Sequence, residues 1–222
     1  MDANDKAALL KRYSDRLAQY GATDAALGWT KSKQKLRYRI LLNYWLTQPS
    51  PLPLRILDFG CGFGDFYGYA RECGVDIDYT GLDINADLIE VARRRYPDAR
   101  FLCRDVFEQP FTESFDLVLS SGVHNHRLVD NRAFVERTFE LFDCTSTIGF
   151  AVNFLSNRFT FQNAGNYHSA PEQILALGLR HSLRVSLRHD YMPFEFTVFV
   201  DKRNEIDEEL TVFLPFVQDC TA

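Results

Sequence analysis

A chain of 222 residues with 46% hydrophobic content can bury a full core as one domain, or as one domain with a modest addition. Its formal net charge of −5 argues against a nucleic-acid partner, because binders of the phosphate backbone usually carry a basic stripe. The basic runs Lys31–Arg39 and Arg93–Arg95 read as solvated helix faces. No apolar run reaches the roughly 20 residues that span a bilayer, and Met1–Lys11 is too polar for a signal peptide. A soluble cytoplasmic protein, not a membrane one, is therefore expected. Cys61, Cys73, Cys103, Cys144 and Cys220 form no C-x-x-C pair, so reduced thiols and no metal site are expected.

In chain order, residues 5 to 47 read as two helices. Leu9, Tyr13, Leu17 and Tyr20 form one stripe, and Leu36, Ile40, Leu42, Trp45 and Leu46 a second. Gly21 and Gly28 punctuate the link. The segment Gln48–Pro53 reads as a linker, since its prolines cannot continue a helix. Strands are then expected at Arg55–Phe59, Ile77–Leu82, Ala99–Cys103, Phe115–Ser120 and Thr147–Phe154. Helices alternate with them at Asp65–Cys73, Ala86–Tyr96, Asn131–Phe142 and Pro171–Leu177. Ser182–Arg188 and Phe194–Asp201 read as a closing hairpin around an Asp190–Pro193 link. Such alternation implies a mostly parallel sheet with helices on both faces. Residues 203–222 read as a docked extension or a partly disordered tail.

The most informative run is Ile56-Leu57-Asp58-Phe59-Gly60-Cys61-Gly62-Phe63-Gly64-Asp65-Phe66. A buried strand leads into a glycine turn and then a helix, which is a nucleotide-binding arrangement. Dinucleotide enzymes place a pyrophosphate at such a loop. The carboxylate of Asp58 would repel it, whereas it suits a ligand with an ammonium and a sulfonium, S-adenosylmethionine (SAM). Three further segments follow in order: Tyr79-Thr-Gly-Leu-Asp-Ile-Asn85, Phe101-Leu-Cys-Arg-Asp-Val-Phe107 and Phe115-Asp-Leu-Val-Leu-Ser-Ser-Gly-Val-His-Asn-His126.

Together these four segments resemble the class I SAM-dependent methyltransferases, of the bacterial small-molecule type, over residues 54 to 200. The resemblance implies an α/β, Rossmann-like three-layer sandwich. Its seven-stranded, mostly parallel sheet ends in an antiparallel hairpin. Residues 1–53 would form a helical lid, 54–202 the SAM-binding domain and 203–222 an extension. Asp58, Gly60, Gly62 and Gly64 would wrap the methionine half of SAM. Asp83 would accept both ribose hydroxyls, each carboxylate oxygen having two lone pairs. Ile84 would pack on adenine, and Asp105 and Val106 would meet its edge. Ser120 ends the strand nearest the methyl group. The family's DNA and glutamine-amide members carry an Asn/Asp-Pro-Pro-Tyr type motif there, and Ser-Gly-Val-His replaces it. That departure argues against those substrates.

Methyl transfer is an in-line displacement, so the protein mainly aligns the nucleophile and excludes water. A protonated acceptor needs a base, and His124 and His126 are the candidates. Gly28-Trp29 and Gln34-x-x-Arg37-Tyr38 resemble the opening segment of some small-molecule methyltransferases, which folds over SAM. By that resemblance Arg37 would pair with the SAM carboxylate, and Trp29, Tyr13 or Tyr20 would face the sulfonium or the acceptor. Asn153, Tyr167 and His168 are expected around the substrate, with Tyr191 and Glu195 at the final hairpin. The expected partner is a small molecule, and the expected state a monomer or homodimer. Two other readings stay open: a nicotinamide-dependent oxidoreductase, and a SAM-binding protein without turnover.

Overall fold

The computed structural model describes residues 1–29, 31–47 and 53–221; of the expected proline linker, only Pro53 falls among them. Strands β1 (Leu54–Phe59), β2 (Ile77–Asp83), β3 (Arg100–Cys103), β4 (Phe115–Ser120), β5 (Ser146–Leu155), β6 (Arg184–Met192) and β7 (Glu195–Asp201) form one sheet. Its order is β3-β2-β1-β4-β5-β7-β6. Strands β1 to β5 pair in parallel, and β7 is antiparallel to both β5 and β6. The winding reverses between β1 and β4. In open α/β sheets that reversal leaves a crevice beyond the strands' carboxyl ends, where ligands bind.

The strands' two-residue side-chain period sorts the core into two layers. Ile56, Tyr79, Leu117, Ala151 and Phe199 face one side. There they meet α3 (Lys31–Leu46), α4 (Asp65–Glu72) and α5 (Ala86–Arg95) through Leu41, Trp45, Phe66 and Ile89. Leu57, Val118, Phe150, Phe154 and Val198 face the other side. They pack on Phe139 and Phe142 of α6 (Asn131–Thr145) and on Ile174 and Leu177 of α7 (Pro171–Gly178). The expected three-layer sandwich and closing hairpin are both present.

Two expectations need correction. Residues 1–53 do not act as one lid, because α3 places Trp45, Leu41 and Leu42 in the sheet's core. Helix α1 (Ala3–Tyr20) and the single-turn α2 (Asp24–Leu27) lie over the crevice, and α1 has no buried residue. The final hairpin is also tighter than Asp190–Pro193 suggested. A register shift between Arg188 and Met192 absorbs Asp190 into β6, and Met192 then pairs with Glu195. Of the two readings of the C-terminal segment, the docked extension is the one that forms. It forms the small pair β8 (Ile206–Asp207) and β9 (Val212–Phe213), then α8 (Val217–Thr221), with Phe213 and Phe216 each 5.4 Å from the Arg184 guanidinium.

Helix α5 shows how the site's frame is set locally. Asn85 caps it by accepting the N–H groups of Asp87 at 2.9 Å and Leu88 at 3.1 Å. Its own amide donates to the Leu10 carbonyl of α1 at 3.2 Å. Removing a side-chain cap costs about 1 kcal/mol. Asn85→Ala is therefore expected to lower the melting temperature by about 2–4 °C, the scale for a chain of this size, as calorimetry would show.

Candidate functional site

A cleft opens beyond the carboxyl ends of β1, β2 and β4, enclosing about 1110 Å³ with the solvent at its mouth included. The turn after β1 forms its floor. Gly60, Gly62 and Gly64 take φ of +79°, +55° and +77°. At Gly60 a side chain is excluded twice: by the left-handed backbone, and because a Cβ would lie 2.1 Å from Val123 Cγ2. The bare backbone there lets the Val123 segment close against the loop. Gly60 and Gly62 line the cleft, but Gly64 sits behind it, packed on Phe101 and Tyr96.

Two carboxylates face this floor. Asp58 accepts the Tyr79 hydroxyl at 2.8 Å. Burial pushes its pKa up to about 7; the Tyr79 bond opposes the rise, and the charges of Asp83 and Asp65 add to it. Asp83 accepts Gly62 N–H at 3.1 Å and Asn85 N–H at 2.9 Å, one on each oxygen. Burial raises its pKa, while the Asn85, Gly62 and Ile84 amides oppose it. Each oxygen keeps a lone pair for a further donor.

Beside Asp83 the wall is apolar, made of Ile84, Leu88, Val106, Phe107 and Phe134. Asp105 edges it, accepting Phe107 N–H at 3.0 Å and pairing with Lys6 of α1 at 2.7 Å. Burial alone would raise the Asp105 pKa, but the Lys6 bond, the Phe107 amide and the Lys6 charge bring it below the usual value.

The other end is walled by Trp29, Ser121, Gly122, Tyr13 and His126. Tyr13 Oη lies 2.7 Å from His126 Nε2, with the rings edge-on. Burial lowers His126 to about 4, helped by Arg12, and raises Tyr13 to about 12, helped by the Asp83 charge. At neutral pH the imidazole is thus uncharged.

The structure brings together Asp58, Gly60, Gly62, Asp83, Ile84, Asp105, Val106, Trp29 and His126 of the expected site. It separates the others. His124 is buried between Phe134 and Phe154, with neither ring nitrogen hydrogen-bonded, and burial lowers its pKa to about 3. It is a core residue of the turn after β4. Ser120 is wholly buried, and Ser121 takes its place at the wall. Asn153 braces that wall from behind, accepting Gly122 N–H at 2.9 Å and donating to Ser121 Oγ at 3.1 Å. Tyr167 and His168 are outside the lining; their loop is tied to the back of the β4 turn by Tyr167 N–H donating to Asn125 O at 3.0 Å. Arg37 is spent on Glu195, at 2.8 and 2.6 Å from Nε to the two oxygens. The Glu195 carboxyl is raised by burial, against the pull of Arg37.

Sequence reading missed Lys6, which continues the Leu9–Tyr13–Leu17 stripe one turn earlier and pairs with Asp105 at the cleft's edge. The residues fit SAM. Asp58 and Asp83 lie by the glycine turn, where the ammonium and ribose need acceptors, and the apolar wall edged by Asp105 suits a purine.

The methyltransferase-domain family model matches residues 56–142. A Mycobacterium tuberculosis protein named as a methyltransferase is 31% identical over 163 residues, covering 68% of this chain and 94% of its own. The malonyl-[acyl-carrier protein] O-methyltransferase of Anoxybacillus flavithermus is 28% identical over 120 residues, and the match spans 42% of its length. In fold, the chain is similar to the SAM-bound magnesium protoporphyrin IX methyltransferase of Synechocystis. The TM-score is 0.64 at 13% identity, covering 91% of this chain and 100% of that one. These relationships leave no room for the nicotinamide reading. A relative matched at 31% identity over nearly its full length, together with this strand order, places the chain in the class I SAM-dependent methyltransferase family.

Proposed function

We propose that the protein methylates a small-molecule acceptor, at oxygen or nitrogen, held beneath α1 at the Trp29–His126 end of the cleft. One observation carries this reading: the chain roofs its own acceptor end. Tyr13 of α1 is bonded to His126 from the turn after β4, so this contact closes over that end of the cleft, and the space beneath it suits a small molecule rather than a polymer. The relative named as an O-methyltransferase supports oxygen as the accepting atom.

SAM, when bound, supplies an electrophilic methyl group. In this reading Asp58 meets its ammonium, Asp83 its ribose hydroxyls, and Ile84, Asp105 and Val106 its adenine. The Gly60–Gly62 backbone borders the methionine end. His126, uncharged at neutral pH, takes the role of base for a protonated acceptor, through or in place of Tyr13. Incubation with SAM and pools of small acids, phenols and amines should release S-adenosylhomocysteine. Release only with acyl-carrier protein or RNA would overturn the small-molecule assignment.

A pH dependence follows from Asp58. Its folded-state pKa of about 7 is raised, so the ligand-free protein is largely protonated there below neutral pH. An ammonium ligand favours the carboxylate. SAM affinity is therefore expected to rise as pH climbs through about 7, before an α-amino group itself titrates near 7.7–8.0. Calorimetric titrations from pH 5.5 to 7.5 should show that rise, and Asp58→Asn should flatten it.

A further inference from the structure

Glu195 lies on β7, at the far side of the molecule's sequence from the opening helices, and makes no direct contribution to the cleft lining. Its carboxylate is wholly buried, and the Arg37 guanidinium beside it is 4% exposed. Arg37 Nη2 completes the pair at 2.5 Å from Oε2. Tyr191 and Thr197 close the polar cluster: the Tyr191 hydroxyl is 3.3 Å from Glu195 and 2.8 Å from Thr197. A buried ion pair of this kind contributes little net stability over a well-packed apolar pair, because desolvation offsets the attraction. Its geometric effect is what distinguishes it.

That effect points at Trp29. The Arg37 guanidinium stacks on the Trp29 ring, 4.2 Å from its centroid. The benzo edge of the indole presses on Gly122, where a Cβ would lie 2.4 Å from Cζ2 and 2.6 Å from Cη2. Gly122 itself is pinned by Asn153. Trp29 is therefore gripped between a fixed cation and a fixed backbone, and it forms part of the cleft wall. Gln34, one turn before Arg37 on α3, and Tyr38, the residue after it, line the cleft too.

We infer that Glu195, acting through Arg37, is a positioning residue that locks Trp29 as the wall of the methyl-transfer chamber. This deepens the reading of the cleft as the SAM and acceptor site, and rests on it. The guanidinium's planar fork holds two carboxylate oxygens while its face stays free for the indole, which an ammonium cannot do.

The test uses the full chain labelled with 5-fluorotryptophan. Trp29 and Trp45 are its two tryptophans, so two fluorine resonances are expected, assigned with Trp29→Phe. In the double variant Arg37→Met/Glu195→Leu, which leaves no unpaired buried charge, the Trp29 resonance should move and broaden while Trp45 holds. S-adenosylhomocysteine affinity should fall about tenfold. Trp29→Ala, at the cleft surface and with the ion pair intact, should lose as much affinity, and combining the changes should add nothing further. A folded double variant with an unmoved Trp29 resonance overturns the inference, as does Trp29→Ala binding like the parent. The second result stands even if the double variant fails to fold. Failure of the unaltered protein to bind S-adenosylhomocysteine would overturn the cofactor site as well. Binding by parent and variants alike overturns the positioning role alone.

Discussion

Asp83→Ala is expected to weaken SAM binding roughly 100- to 10,000-fold, the largest functional loss of any single substitution in the cleft. Two hydrogen bonds from the ribose hydroxyls are lost together. Bonds to a charged acceptor contribute about 1.5–3 kcal/mol each, and about 1.4 kcal/mol is a factor of ten. Asp83 also orders the site before ligand arrives, since it accepts the amides of Gly62 and Asn85. Its removal frees the glycine turn as well as deleting the proposed ribose contact. Titration calorimetry reads the affinity directly. A melting-temperature assay reads it indirectly, because ligand at 100 times Kd stabilises the native state by about 2.7 kcal/mol. An alanine variant within tenfold of the parent would remove Asp83 from the ribose role.

The largest stability loss is expected at Arg37. Arg37→Ala leaves the Glu195 carboxylate buried among β7 and Tyr191 with no cation beside it. Breaking a buried pair from one side costs about 3–5 kcal/mol. For a chain of this length each kcal/mol moves the melting temperature by about 2–4 °C, so a fall of roughly 10 °C is expected by calorimetry. The cost comes from stranding a charge rather than from losing an attraction. Glu195→Gln, which keeps a hydrogen-bonding carbonyl and removes the charge, should therefore cost clearly less when added to Arg37→Ala than the two single losses summed. Additive losses would show that the two groups do not act as a pair. A parent-like melting temperature for Arg37→Ala would show that Glu195 finds another partner or a proton at little cost.

Much of the fold was legible because its signals are local. Strand β1, the Gly60–Gly64 turn and the start of α4 follow from adjacent residues, as do the Asn85 cap and the proline at the first turn of α7. The expected strands all form, and the carboxylates at Asp58, Asp83 and Asp105 do face one cleft. Where reading failed, the outcome depended on which way a side chain turned. His124 and His126 are two residues apart at the end of β4, and the sequence treats them alike. A short 3-10 turn at Val123–Asn125 sends the first into the aromatic core and the second to the cleft. Ser120 and Ser121 part in the same way, by the alternation of a strand's last residues.

Arg37 is the clearest case of a decision made by distance. From sequence it was a cation near a cofactor carboxylate. In the fold it meets Glu195, 158 residues away. Lys6 and Asp105, 99 positions apart in numbering, likewise join only because α1 lies over the cleft. The sequence by itself determined the layered α/β fold, the glycine turn and the row of acids that suits SAM. Those features arise from side-chain periodicity, backbone sterics and charge at single positions. Only the tertiary structure decided that α3 belongs to the core, that His126 rather than His124 reaches the chamber, and that Glu195 governs the wall through Arg37 and Trp29. Each of those depends on which distant surfaces pack together, and packing is a property of the whole chain rather than of any window along it.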